Sequence, residues 1–418
     1  MRNYSKVIIN KKASIREENL HPWIFDNEID KIEGTYTNGD LVDVYNYKDK
    51  YIGTGFINDN SKIRVRIISR NANDIFDDSF YERRVRYAIK YRLDIFGDLS
   101  SCRLIFGEAD GFSGLTIDKY NNILVSEVNS LCMENKKDLI YKLLVDILKE
   151  YNYEVSGIYE RCDSNIRLKE GLELYSGFYG KTPKEKDTTI VLDDIKYYIN
   201  FENGQKTGFF LDQRFNRLAI RNISKDKNVL DVCTCTGSFG LNAYKGGAKR
   251  VVSVDISKSS LDVARLNAKN NGFDIEYVES DAFLYLDSIK KGEFDLIILD
   301  PPAFTKSHDT VNNAKKGYFD LNYKAIKKLE RGSYLATCSC SSFMREDMFL
   351  ETINEAAKKA NVELKLVESR KQAMDHPILI NVPETYYLKF FVFQIIWFII
   401  ILEGGLEWRN IFVSLSEH

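Results

Sequence analysis

The segment YLATCSCSSF, residues 334–343, closes an apolar run with two thiols one residue apart, Cys338 and Cys340. C5 of a cytosine ring is a poor nucleophile, and it becomes electron-rich once a thiolate has added to the neighbouring C6. Cys338 is the first candidate for such a thiolate; Cys340 has the same strand parity and is the second. Four carboxylates accompany them. Asp231 ends NVLD before a loop carrying Gly237 and Gly240, Asp255 ends VVSVD, Asp281 follows DIEYVES, and Asp300 opens DPPAF. The glycine spacing is not the G-x-G-x-x-G of a pyrophosphate cradle. Asp255 is placed to accept from ribose hydroxyls and Asp281 from an adenine amino group. The two prolines after Asp300 preset φ near about −65° and make a stiff loop from which that carboxylate can meet the edge of a base. Taken singly, each acid is also compatible with a helix cap, and each cysteine with a small buried hydrophobe. A zinc site from Cys233, Cys235, Cys338 and Cys340 departs from the usual C-x(2 to 4)-C spacing.

These residues need strand ends to hold them. From Tyr197 onward, apolar runs alternate with amphipathic helical stretches: NVLDVCT, a helix from Ser238, RVVSVDIS, SSLDVARLNAKNNG, DIEYVESD, FDLIILDPP, NYKAIKKLERGS and YLATCSCS. That alternation specifies an α/β, doubly wound parallel sheet of Rossmann type with its site at the carboxyl ends of the strands. Residues 1–74, with KVIINK, LVDVYNY, the glycine-rich YIGTGFI and KIRVRIIS, read as a small β-rich domain, in which HPWIF at 21–25 fixes a turn and packs a small core. Residues 75–190 read as an α+β middle domain, 191–393 as the sheet domain, and 394–418 as an atypical apolar extension.

Composition bounds the class. The 418 residues are 44% hydrophobic and 29% charged with a net charge of −2, an ordinary packed chain with no global attraction to nucleic acid. RNA contact must then come from patches. Between Lys62 and Arg92 stand nine basic residues against four acidic ones; in YERRVRYAIKYR arginine and tyrosine interleave, which suits phosphates and stacked bases and equally suits a solvated helix face paired to acids. The seven cysteines read as reduced thiols rather than a disulfide framework. The amino terminus lacks the pattern of a secretory signal, so a cytoplasmic location is expected. FFVFQIIWFIIIL, residues 390–402, is short for a membrane span of about 20 residues and is expected to be a buried last strand running into extra apolar sequence. No membrane partner is expected, and the oligomeric state is left open, a homodimer included.

Acid, glycine loop, acid and acid at successive strand ends resemble the S-adenosylmethionine site of class I methyltransferases. DPP followed by an aromatic resembles the loop of amino-group methyltransferases, with Ala303 interposed before Phe304, and Thr-Cys-Ser at 337–339 resembles the nucleophile motif of RNA 5-methylcytosine enzymes. Taken with HPWIF and GQKTGFFLDQR, these motifs resemble the family of large-subunit (23S) ribosomal RNA methyltransferases that join an amino-terminal PUA domain to a Rossmann-like catalytic domain. The resemblance runs from about Val7 to about Phe393. It implies an enzyme that uses S-adenosyl-L-methionine on ribosomal RNA, with Gln205, Lys206, Thr207, Gly208, Phe210, Asp212 and Arg214 lining the cofactor pocket together with Asp231, Gly237, Asp255 and Asp281. Asp300 would contact the base and Cys338 would attack it. Guanine N7 methylation on the same scaffold, and an RNA-binding assembly factor without methylation activity, are the alternatives.

Overall fold

The computed structural model describes residues 3–13, 17–180, 183, 186–202, 204, 206–305 and 308–398. The chain divides into two compact units: residues 1–218, 263–273 and 371–388 form one, and 219–262, 274–370 and 389–418 the other.

The first unit opens with six strands, β1 (Ser5–Ile9), β2 (Trp23–Ile24), β3 (Ile29–Glu33), β4 (Leu41–Tyr45), β5 (Tyr51–Ile57) and β6 (Val65–Ser69), in the order β2-β6-β5-β4-β1-β3. Alternation in LVDVY sends Val42 and Val44 into a core with Val7, Ile9, Ile24 and Val65. The glycines of YIGTGFI answer to close strand approach: a Cβ on Gly55 would lie 2.3 Å from the Arg66 carbonyl oxygen of β6. A second sheet follows, from β7 (Ser101–Phe106), β8 (Leu115–Tyr120), β9 (Ile123–Val128), β10 (Gly157–Cys162) and β11 (Tyr175–Tyr179) in the order β11-β10-β9-β8-β7. Helix Asp78–Phe96 packs into its core. The Asp77 carboxylate starts that helix by accepting from the Phe80 amide, and Gly97, at φ 68°, ends it in the left-handed conformation that glycine tolerates best. A hairpin, β12 (Asp187–Leu192) and β13 (Ile195–Asn200), turns through Asp193 and Asp194, both at positive φ, as a two-residue hairpin requires.

Among its described residues the second unit holds seven strands: β14 (Asn228–Val232), β15 (Arg250–Asp255), β16 (Glu276–Glu279), β17 (Leu296–Leu299), β18 (Tyr334–Ser339), β19 (Val362–Arg370) and β20 (Lys389–Phe398), ordered β16-β15-β14-β17-β18-β20-β19. Strands β14 to β18 are parallel, and LIIL of β17 is buried throughout, as helices on both faces demand. The expectation of a parallel sheet needs one correction: β20 runs antiparallel between β18 and β19. FFVFQII is apolar because it is an interior strand with a neighbour on each side, and Phe390, Phe391, Val392 and Ile395 are buried there. The rest of the expected extension, 399–418, lies outside the described residues. Among the described residues no helix is long and apolar enough to cross a membrane.

Candidate active site

In the seven-stranded sheet the chain leaves β14 toward β15 and β16, then returns to add β17 and β18 on the other side. The reversal between β14 and β17 is a switch point, where open α/β sheets hold ligands beyond their carboxyl ends. The acids picked from the sequence stand there.

Asp231 is fully buried in β14. Its Oδ2 accepts from the Thr234 hydroxyl and, at 2.9 Å, from the Gly240 amide, while Oδ1 has no hydrogen-bond partner among the described residues. A Cβ on Gly240 would sit 2.5 Å from the Ser253 hydroxyl, so only glycine lets this helix start lie so close to the sheet. Burial pushes the Asp231 carboxyl up to about 7. A folded pKa raised above the unfolded value of about 3.9 contributes stability that is complete below that value and lost as pH rises through the folded one. Wild type is therefore expected to lose stability between about pH 4 and 7 relative to Asp231→Asn. Urea denaturation across that range checks this, and parallel profiles would refute the assignment.

The loop after β14 carries Cys233 and Cys235 at φ 62° and 50°, then Gly237 at 83° as the N-cap of helix Ser238–Lys245. Two cysteines in the left-handed region store backbone strain, a cost that tends to persist at functional sites. The Asp255 carboxylate pins the loop, Oδ2 accepting from the Cys235 amide and Oδ1 from the Ser257 amide, at 2.8 and 2.9 Å. Asp281 caps helix Ala282–Ser288, accepting from the amides of Phe283 and Leu284, so the capping alternative holds for that residue. The four acids converge on one thiol: Cys233 is pushed up first by burial and then by Asp255, Asp300, Asp231 and Asp281. A cluster of carboxylates with an orphaned, buried Oδ1 fits a cationic group that also carries hydroxyls, as a sulfonium nucleoside does.

Asp300 follows β17 directly, half-buried, its amide donating to the Val232 carbonyl. Phe304, the aromatic of DPPAF, packs inward, 4.7 Å between ring centres from Tyr318 and against Gly317. Leu299 is in register with Thr337, so the DPP loop and TCSCS leave adjacent strands side by side. Cys338 lies inside β18, 0% exposed and opposite Phe390 of β20, whereas Cys340 is the first residue past the strand and only half-buried.

GQKTGFFLDQR belongs to the first unit. Gln205 lies outside the described residues. Lys206 reaches Asp212 at 2.9 Å and stands over the Phe210 ring at 4.5 Å; the Tyr387 hydroxyl donates to the same carboxylate at 2.7 Å. Burial would raise Asp212, but Lys206, His376 and Tyr387 outweigh it and hold the carboxyl well below its usual range. Thr207, expected to line a cofactor pocket, is fully buried and bonded to Asp118 and Tyr120, and Asp118 forms a bidentate pair with Arg103. Gly208, at φ 125°, has no room for a Cβ beside Ile199. Arg214 is held by Asp193 of the hairpin turn and stacks on Phe96. The sequence reading missed Arg103, Asp118, His376 and Tyr387. An aspartate inside the strand LTIDKY and the run Asp375-His376-Pro377 were the available signals.

The basic stretch resolves toward its structural alternative. Arg66 is buried against Glu170, Arg86 pairs with Glu82 and Glu150, Arg92 makes a buried bidentate pair with Asp110, Arg64 pairs with Asp59, and Lys90 with Asp94. Arg70 and Arg84 donate to backbone carbonyls, and Arg83 lies near Asp74. HPWIF packs a small core through Ile24 as expected, but Trp23 and Ile24 form strand β2 against β6 rather than a turn, and the segment does more: the Trp23 indole N–H donates to Glu108 at 3.0 Å, and His21 meets Glu384 at 3.1 Å.

Comparison with known proteins agrees with this geometry. Residues 7–70 match the PUA-like domain family, and residues 175–393 match the S-adenosylmethionine-dependent methyltransferase family. Proteins named ribosomal RNA large subunit methyltransferase I are similar over nearly the whole chain. That of Aeromonas hydrophila is 39% identical, covering 90% of this chain and 96% of its own; that of Vibrio vulnificus is 38% identical with the same coverage. Among solved structures, one described as an S-adenosylmethionine-dependent methyltransferase from Streptococcus mutans superposes with a TM-score of 0.77 at 20% identity, over 93% of this chain and 99% of that one. Another, solved with S-adenosylhomocysteine, gives a TM-score of 0.78 at 20% identity and the same coverage. The likeness of sequence over both modules, with the acid-lined strand ends, places the protein: it belongs to the ribosomal RNA large subunit methyltransferase I family, S-adenosylmethionine-dependent methyltransferases that carry an amino-terminal PUA-like domain.

Proposed function

We propose that the protein methylates C5 of a cytosine in large-subunit ribosomal RNA, with Cys340 as the attacking thiol and Cys338 as the alternative. The observation that carries this reading is the exit of TCSCS from β18 beside the DPP loop. S-adenosylmethionine supplies a methyl group on a positively charged sulfur. The thiolate would add to C6, forming an S–C6 bond and moving the C5=C6 electron pair to C5; C5 would take the methyl as the methyl–sulfur bond breaks and its pair stays with the departing, now neutral sulfur, and loss of the C5 proton to a base would re-form C5=C6 and break the S–C6 bond to return the thiolate. Asp300 is proposed to orient the ring. Cys340 is preferred because a nucleophile must meet its substrate: it is half-buried past the strand end, whereas Cys338 is 0% exposed within the strand. The base is expected to be extruded from its stack to reach these strand ends.

For the cofactor, Asp231, Gly237, Asp255 and Asp281 are the proposed contacts at the sheet, and the family resemblance adds Lys206, Thr207, Gly208, Phe210, Asp212 and Arg214, with Gln205. Asp255→Ala is expected to weaken S-adenosylmethionine binding by about 10- to 100-fold, as loss of a hydrogen bond to a charged group costs about 1.5–3 kcal/mol; calorimetry checks this, and unchanged affinity would remove Asp255 from the site. Module boundaries near residues 74, 190 and 393, and a cytoplasmic location, belong to the same proposal.

The test of the reaction is transfer of labelled methyl to unmodified large-subunit RNA, followed by nucleoside digestion and mass analysis. 5-Methylcytidine is expected. 7-Methylguanosine with undiminished activity in both thiol variants would mean that the ring nitrogen attacks directly and the thiols are packing groups. No transfer despite cofactor binding would favour an assembly factor.

A further inference from the structure

Lys389 interrupts an otherwise apolar run, YLKFFVF, at the first position of β20, and it is 1% exposed. A buried ammonium is costly unless an opposite charge or good acceptors meet it. Its backbone partner across the ladder is Ser339, the last residue of β18, and its Nζ donates to the Ser341 carbonyl at 2.6 Å. The cation is thus carried around the strand end that releases Cys340 and bonded to the residue just after it. Tyr318, fully buried in helix Val311–Lys328, braces the same turn from another side: its hydroxyl accepts from the Ser339 hydroxyl at 3.0 Å and meets that of Ser341 at 3.3 Å. The residues on both sides of Cys340 are therefore pinned by buried groups, one of them a cation.

We infer that Lys389 is a positioning residue whose ammonium holds the Cys340 sulfur as a thiolate, an assignment that rests on the proposed role of Cys340. The charged groups that act on Lys389 include Cys340 and Glu346, and the Tyr318 hydroxyl lies at the same turn through Ser339 and Ser341. Burial pushes Lys389 down to about 8, against the opposing pull of Cys340 and then Glu346, so the amine is mostly cationic near neutrality and loses that charge in the mildly alkaline range. An adjacent cation is a standard means of drawing a thiol below its ordinary value of about 8.5.

The test measures alkylation of Cys340 by iodoacetamide in the full chain without RNA, as a function of pH, using fragment ions that separate Cys340 from Cys338. In wild type the midpoint is expected below about 8.5; a midpoint at or above that value overturns the inference without any variant. Lys389→Met is expected to slow alkylation at neutral pH about tenfold by moving the midpoint up about one unit, and Lys389→Arg to restore most of the rate. Coincident profiles for wild type and Lys389→Met, or an arginine variant as slow as the methionine one, also overturn it. The readout needs no methyl transfer. A depressed, lysine-dependent midpoint in a protein that makes no 5-methylcytidine would sustain the pair and sink the cytosine assignment instead.

Discussion

Cys340→Ala is expected to lower methyl transfer by at least about 10³-fold, the scale on which loss of a covalent nucleophile is felt, and to leave S-adenosylmethionine affinity within about twofold of wild type. Exposure divides the two thiols: Cys338 is enclosed between neighbouring strands, opposite Phe390, and Cys340 stands past the strand end. Cys338→Ala is expected instead to cost stability, about 1–2 kcal/mol for a small buried side chain, with activity largely kept. RNA carrying 5-fluorocytosine sharpens the contrast. Fluorine at C5 cannot leave as a proton does, so the S–C6 bond persists and the complex survives denaturing electrophoresis. Wild type and Cys338→Ala should trap that RNA, and Cys340→Ala should not. Trapping lost only in Cys338→Ala would return the role to the first thiol of the motif.

Arg103→Met is expected to destabilise the first unit by about 3–5 kcal/mol, the cost of leaving one member of a buried ion pair behind. Asp118 is 0% exposed, and Arg103 grips both of its oxygens, at 2.7 and 2.8 Å. Thr207 and Tyr120 complete the cluster, but hydroxyls bring no net charge. The Arg103 amide also donates to Asp375 at 2.8 Å, which ties the strand to the segment before Pro377. Thermal or urea unfolding followed through this unit measures the loss. A change below about 1 kcal/mol would show that the carboxylate finds other partners or protonates. Because Thr207 belongs to this network, its substitution is expected to act first through stability, which a cofactor titration on folded protein can separate from binding.

Local pattern was enough to place the reacting segments. Apolar runs of four to six residues followed by acid or thiol, alternating with helical stretches, read as strands opening at their carboxyl ends, and Asp231, Asp255, Asp281, Asp300 and Cys340 do lie at or within two residues of strand ends, whereas Cys338 sits inside β18. The glycines at 237 and 240 marked the loop for the same local reason, one for its positive φ and the other for helix-to-sheet approach. The basic stretch at 62–92 resisted that treatment, because an arginine looks the same in sequence whether it awaits a phosphate or is neutralised by Asp110 or Glu170, residues far along the chain.

What the sequence by itself determined is the alternation of elements, the identity of the family and the chemical inventory of the strand ends, all of which depend on contiguous residues. Only the tertiary structure decided which members of that inventory are available. The order of strands put β20 between β18 and β19, and so enclosed Cys338 and carried Lys389 to the exit of Cys340. Folding likewise brought Tyr387 and His376 to Asp212 across more than 160 positions. Periodicity reports which face of an element is apolar; it carries no information about which distant side chain will neutralise a charge. That is settled by packing, where a buried charge left unpaired costs about 3–5 kcal/mol, a large share of a stability margin of about 5–15 kcal/mol.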